Sequence, residues 1–283
     1  VSATDDATVV IRPVRASMEV VKTAAPENIP EPGGLVDYSV LVTNTSKEAN
    51  LVVTDLKDNL YGDVFTKGTC RQPRSDYLAC NYKEHLIEQP GDVITDIVTA
   101  TATANSGEKL EADASAAVEI NDVASAIIAK KLAIPASLSE PGGSVIFQLT
   151  VQNISPVDSV TLNALNDDVY GNLNGQGTCI APQKLAPGAI YHCEFSAQVT
   201  GNAGDRQVDV ITVTGVDDDG KPVSAQAAAE VVLTDVPAGI EVIKTASPAV
   251  LTAPGGTVSF GVTLVNTSLT DQVTISTLVD DVH

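Results

Sequence analysis

The chain has 283 residues, 43% of them hydrophobic but only 4% aromatic and none of them tryptophan, so its core must be built from Val, Ile, Leu and Ala, which suits thin β-sandwiches. A net charge of -20, from 16 basic and 36 acidic residues, repels a phosphate backbone or an anionic membrane; the expectation is no nucleic acid partner, with divalent cations as natural ones. No apolar run is as long as a membrane span, so direct membrane insertion is not expected, and residues 1–6 lack the basic start and apolar core of a signal peptide.

Residues 7–11 read as a β-strand with no domain in front of them. Their counterparts, Ala116 to Ile120 and Ala229 to Leu233, each precede a further copy of one sequence block. Residues 1–16 are therefore predicted to be the last strand of a preceding repeat plus a linker. Repeat 1, residues 17–124, opens with a strand from Met18 to Thr23 and passes through Ala24-Ala25-Pro26 and the turn Glu31-Pro32-Gly33-Gly34 into a strand from Leu35 to Thr43. Prolines bar continued pairing in that connection, and the glycines permit the positive φ of a tight return. A strand from Leu51 to Asp55, an acidic loop from Asp58 to Asp63, a Cys-bounded loop, a strand from Val93 to Ala104 and a closing strand from Ala112 to Ile120 follow.

The turn recurs as Glu140-Pro141-Gly142-Gly143 in repeat 2, residues 125–237, and as Ala253-Pro254-Gly255-Gly256 in an incomplete repeat 3, residues 238–283. A period of roughly a hundred residues is too long for a solenoid and fits a small domain strung in tandem. Short alternating strands between Gly, Pro and Asn turns indicate all-β, tandem immunoglobulin-like β-sandwich domains. The plainest reading is a window on a longer array.

Val20-Val21-Lys22-Thr23-Ala24, Pro32-Gly33-Gly34, Val42-Thr43-Asn44-Thr45, Val53-Thr54-Asp55-Leu56 and the Asp217-Asp218-Asp219-Gly220 hairpin resemble the prokaryotic surface-protein repeat known as domain of unknown function eleven. The resemblance covers nearly the whole chain. It implies immunoglobulin-like domains of large secreted or surface-anchored proteins, used as stalks, adhesins, sheath or fibre components, with no catalytic motif. Repeat 2 departs from the pattern at Ala164, where repeat 1 has Asp55.

The cysteines repeat too, as Cys70 with Cys80 and Cys179 with Cys193. A spacing that stretches while both ends persist suits a loop-closing disulfide better than a metal site, and predicts both bridges and an oxidising, extracellular or cell-surface location. His85, His192 and His283 occupy different repeat phases, so no repeated catalytic site exists and no enzyme is expected.

Strand direction gathers acidic loops at the two poles of each domain. Asp58, Asp63, Asp92 and Asp122 fall at the exit pole of repeat 1, and Asp158 with Asp217, Asp218 and Asp219 at the leading pole of repeat 2. The second junction offers Glu140, Asp167, Asp168 and Asp235, with Asp271 from repeat 3, whose Asp280 and Asp281 repeat the phase of Asp167 and Asp168. Carboxylates around a short linker repel one another unless bridged, and calcium takes six to eight such oxygens, so interdomain calcium is the expected cofactor. Solvated turn residues are the competing reading.

Asn44, Asn153 and Asn266 head glycosylation-type sequons at one repeat position, which turn chemistry explains equally well. Lys22, Lys130 and Lys244 recur on the first strand, but no Asn recurs on the closing strand, where the copies offer Asn121 and Thr234, so no Lys–Asn bond is expected. The function expected is a structural, non-catalytic fibre or stalk segment that associates with other copies of itself. The alternative is an adhesin module binding a host protein, glycan or neighbouring-cell surface ligand through Arg71, Arg74, Tyr77 and Tyr82 around Cys70 and Cys80.

Overall fold

In the run from Val36 to Val42, every second residue is apolar, and Val36, Tyr38, Val40 and Val42 are all buried while the residues between them face solvent. That period-two burial is the signature of a strand with one face on a core. The computed structural model describes residues 1–10, 15–74 and 76–282. Two compact units, residues 1–124 and 125–283, divide the chain.

In unit 1 the strands are β1 (Met18–Ala25), β2 (Asn28–Pro30), β3 (Gly33–Asn44), β4 (Leu51–Asp58), β5 (Gly62–Asp63), β6 (Thr69–Arg74), β7 (Tyr77–Ile87), β8 (Val93–Ala104) and β9 (Lys109–Asn121), with one helical turn, α1 (Val64–Lys67). They form two sheets, ordered β1-β3-β7-β6 and β2-β9-β8-β4-β5. Pro26 has no N–H to continue the β1 ladder, and there the chain leaves the first sheet to pair β2 in parallel with β9 of the second. Val36, Val40 and Leu78 of one sheet meet Leu56, Val98 and Val118 of the other in a single core. This is an immunoglobulin-like β-sandwich.

Unit 2 repeats the plan. Its strands are β10 (Ile127–Ile134), β11 (Ser137–Ser139), β12 (Gly142–Asn153), β13 (Val160–Asp167), β14 (Gly171–Asn172), β15 (Gln183–Leu185), β16 (Ile190–Thr200), β17 (Arg206–Asp217) and β18 (Pro222–Thr234). The sheets run β10-β12-β16 and β11-β18-β17-β13-β14, around a core that includes Val145, Phe147, Leu162, Leu165 and Ile211. Even the irregularities correspond, because the register shifts between Val53 and Asp55 in β4 and between Leu162 and Ala164 in β13. The unit also holds β19 (Ile240–Ser247) and β20 (Ser259–Asn266), which pair with each other as a separate two-stranded sheet.

The strand expected at residues 7–11 is not formed by residues 7–10, which are exposed and without strand structure; residue 11 lies outside the described residues. A strand requires a ladder partner, and none of the described strands pairs with this segment. The strand β7, central to its sheet, falls partly inside the stretch that the sequence reading treated as a Cys-bounded loop.

The Pro-Gly-Gly turn has a steric cause. Gly33 has φ +121°, and a Cβ there would lie 2.0 Å from the Leu86 carbonyl oxygen; Gly142 has φ +104°, with the same clearance to the Val199 oxygen. Both glycines let the turn press against the neighbouring strand. Gly33→Ala is therefore expected to destabilise unit 1 by about 2 kcal/mol or more, measured by chemical denaturation, while Gly34→Ala, where a Cβ meets nothing within 4 Å, should be nearly neutral.

Candidate functional site

Each sandwich buries a cluster of charged side chains. Alternation along β1 points Lys22 inward together with Ala24, and its ammonium meets two carboxylates of the opposite sheet, Asp58 at the end of β4 and Asp96 on β8. The Lys22, Asp58 and Asp96 side chains are all 0% exposed. Tyr38, Tyr61 and Tyr82 gather around the group, with Lys22 Nζ 4.9 Å from the Tyr38 ring centroid and 5.6 Å from that of Tyr82.

The two carboxylates differ in their surroundings. Asp58 Oδ1 accepts the Leu60 and Tyr61 N–H groups, each at 2.9 Å, and Oδ2 accepts Lys22 at 2.7 Å and the Tyr82 hydroxyl. Asp96 has no such backbone cradle and faces Lys22. Burial pushes both acids up, but on Asp58 the Lys22 and Tyr82 hydrogen bonds outweigh it and hold the group at about 2, whereas Asp96 is raised to about 6.

Unit 2 carries the same cluster. Lys131 on β10 meets Asp167 on β13 and Asp209 on β17, all at most 1% exposed, beneath the rings of Phe147, Tyr170 and Phe195. Asp167 Oδ1 accepts the Val169 and Tyr170 N–H groups at 3.0 Å, matching Asp58, and burial raises Asp209 as it raises Asp96. In the last segment Lys244 contacts Asp280, again 36 residues further on, as Asp58 is from Lys22 and Asp167 from Lys131.

This arrangement corrects one sequence expectation. The recurring lysine of repeat 2 is Lys131; Lys130 lies on the outer face of β10 and is exposed. Asp58, Asp167 and Asp280 each contact a lysine ammonium. Asp217 Oδ1 accepts the Lys221 N–H at 2.6 Å and closes its hairpin, Asp63 caps α1 through the Phe65 N–H, and Asp168 accepts the Val210 N–H at 2.7 Å. Asp218 accepts the Ser159 hydroxyl at 3.2 Å, and Asp281 is exposed.

A smaller acidic set is brought together. Glu140 follows β11, and its Oε2 and Oε1 accept the Ala203 and Val236 N–H groups at 2.9 and 3.0 Å. Asp235 and Asp271 each place a carboxylate oxygen within 4.8 Å of one from Glu140. Burial raises Asp235, and the charges of Glu140 and Asp271 raise it further, while the two backbone N–H groups lower Glu140. No salt bridge to these three is found among the described residues. In unit 1, Glu31 repeats the role of Glu140, with Oε1 accepting the Val123 N–H at 2.7 Å, and its carboxylate lies within 4.8 Å of Asp122. In unit 2, Asp158 and Asp219 stand within the same distance of each other.

Both disulfides are present, Cys70–Cys80 and Cys179–Cys193. Cys70 and Cys80 sit opposite each other on β6 and β7, so this bridge staples adjacent strands. The sequon asparagines serve turns: Asn44, Asn153 and Asn266 each accept an N–H from the residue two further on and donate to a carbonyl five further on. Asn153 is 0% exposed and donates a second bond to the Leu185 carbonyl, which leaves no amide proton for a glycan. Of the expected binding loop, Arg71 and Tyr77 are exposed, while Tyr82 is 4% exposed and belongs to the core around Lys22; the Arg74 side chain lies outside the described residues.

The sheets and cores define tandem immunoglobulin-like β-sandwich domains. No family model matches the chain, and no curated protein matches it; the likeness to the surface-protein repeat stands on the residues quoted for it. Solved structures similar to it include the Yersinia pseudotuberculosis adhesin InvE, at 11% identity over 76% of this chain and 60% of that one, with a TM-score of 0.26. BcpA, the major pilin subunit of Bacillus cereus, aligns at 10% identity over 78% of this chain and 69% of that one, with a TM-score of 0.26. A 1.5-MDa bacterial ice-binding adhesin aligns at 11% identity over 81% and 68%, with a TM-score of 0.27. Superpositions at this level carry no argument about activity.

Proposed function

We propose that this chain is a non-catalytic, load-bearing segment of an extracytoplasmic fibre or stalk, built from tandem sandwiches and associating with further copies of itself. The observation that carries the reading is the duplication of internal reinforcement: each unit has one disulfide and one buried lysine held by two aspartates across its sheets. The recurring chemistry is inside the domains, where it braces the fold and meets no substrate. Two disulfides suit an oxidising compartment.

Calcium belongs to the same proposal. Glu140, Asp235 and Asp271 present hard oxygen donors close enough to share one ion, and Asp235 is pushed up by burial first and then by the charges of Glu140 and Asp271, which a cation would neutralise. Millimolar calcium is expected to raise the melting temperature of the full chain by about 5–10 °C relative to chelator. Asp235→Asn should reverse sign between the two conditions: it melts higher than the parent in chelator, where it relieves repulsion, and lower in calcium, where it removes a ligand. Identical melting of the parent with calcium and with chelator would sink the calcium part and leave the packing and disulfides as the braces.

A further inference from the structure

We propose that Lys22 is joined to Asp96, and Lys131 to Asp209, by intramolecular amide bonds that each sandwich forms within itself by loss of water. The geometry supplies the three groups such a condensation needs. The nucleophile is the lysine Nζ, and the electrophile is the β-carboxyl carbon of the aspartate on β8 or β17. The second aspartate, Asp58 or Asp167, contacts the same nitrogen and serves as the base.

The roles of the two aspartates follow from their partners. Asp58 is held as a carboxylate by two backbone N–H groups, the Tyr82 hydroxyl and Lys22, and Asp167 has the matching pair of N–H groups. A carboxylate so bound is a poor electrophile; the Lys22 ammonium is what holds Asp58 low, and as the amide removes that charge burial pushes Asp58 up and lets it keep the proton. Asp96 and Asp209 lack that cradle; Asp209 Oδ2 makes no hydrogen bond, and burial favours the protonated form of both. A neutral carboxylic acid is the form an amine can attack.

The step balances. Lys22 gives one proton from its ammonium to the Asp58 carboxylate, and the neutral amine adds to Cγ of protonated Asp96. The C–N bond forms as the C–OH bond breaks, and the departing hydroxyl takes a second proton from the nitrogen to leave as water. The products are a secondary amide, one water and a neutral Asp58; no oxidant, reductant or cofactor is consumed. Two features favour this direction inside the protein. Aromatic rings at 4.7 to 5.8 Å from the lysine nitrogens exclude water and penalise the charged groups, which the amide abolishes. The reacting atoms are held in contact, and such positioning is worth effective molarities of about 10⁵–10⁸ M.

The consequence is mechanical. Each amide would tie the first strand of one sheet to a strand of the opposite sheet, so residues 22–96 and 131–209 would each lie in a covalent ring that tension cannot extend. This inference does not depend on the fibre reading, since the bond forms or fails in an isolated chain.

The test is the intact mass of the full chain, reduced and denatured. Two bonds are expected to lower it by about 36 Da relative to the sequence, one water of about 18 Da per bond, and proteolysis should yield branched peptides joining Lys22 to Asp96 and Lys131 to Asp209. Asp58→Ala, which keeps nucleophile and electrophile but removes the base, should regain about 18 Da. The unaltered protein decides the matter even if that variant does not fold. A mass equal to the sequence overturns the proposal, and a branched peptide at one repeat alone overturns it for the other. A branch mapped to Asp58 or Asp167 overturns the assignment of roles.

Discussion

Lys131→Met is expected to destabilise unit 2 by about 3–5 kcal/mol, because it leaves Asp167 and Asp209 buried beside each other with no cation. For a domain of this size that is a fall in melting temperature of roughly 15–30 °C. The methionine fits the aromatic cup, so lost volume is a minor part of the effect. The contrast with paired variants tests the cause. Lys131→Met combined with Asp209→Leu removes one stranded carboxylate and should recover part of the loss, whereas Asp209→Leu alone leaves Lys131 its Asp167 partner, so what it costs beyond the ion pair measures the amide to Asp209. If Lys131→Met melts within about 3 °C of the parent, the buried cluster is not what holds the two sheets in register.

The same cluster marks where sequence reasoning succeeded and where it stopped. Strands β1, β3, β4, β8 and β9 were legible because their apolar residues alternate between recognisable turns, and Gly33 was legible because a positive φ has few residues to satisfy it. The cluster was not, since a lysine in an inward slot resembles any surface lysine until its partners are known. Phase could have settled it: Ile127, Ala129, Lys131 and Ala133 alternate on one face of β10, and Lys130 does not. The partners also lie away from the closing strands β9 and β18: the carboxylates come from β4 and β8, and from β13 and β17.

The acidic residues are engaged in ways that their turn positions alone do not show. Composition and turn position made Asp58, Asp63, Asp167, Asp168, Asp217 and Asp280 look like cation ligands, yet each is engaged by a lysine or a backbone N–H. Glu140, the first residue of its Glu-Pro-Gly-Gly turn, lies near Asp235 and Asp271 while its own oxygens accept two backbone N–H groups, so such bonds do not by themselves remove a carboxylate from a ligand role. Repeat phase already places all three at the second junction, and the fold brings their oxygens within 4.8 Å of one another. A recurring aromatic trio, Tyr38, Tyr61 and Tyr82 against Phe147, Tyr170 and Phe195, was the signal in the sequence that could have located the lysine.

Removing the disulfide of unit 2 with Cys179→Ala and Cys193→Ala is expected to cost about 3 kcal/mol from loop closure alone. The sequence separations of 14 here and 10 in unit 1 differ too little for a logarithmic dependence to distinguish the two bridges. Their surroundings do distinguish them. Cys179 and Cys193 are 0% and 5% exposed within the main core, so the alanines also leave a void and the total loss should reach about 4 kcal/mol. In unit 1 Cys80 is 0% exposed but Cys70 is only partly buried, so the void is smaller; Cys70→Ala with Cys80→Ala should cost nearer 3 kcal/mol. Denaturant unfolding of the two double variants in the full chain gives the comparison. Equal losses would mean that chain entropy alone sets the contribution of each bridge, and a larger loss in unit 1 would mean that β6 depends on its sulfur link to stay in the sheet.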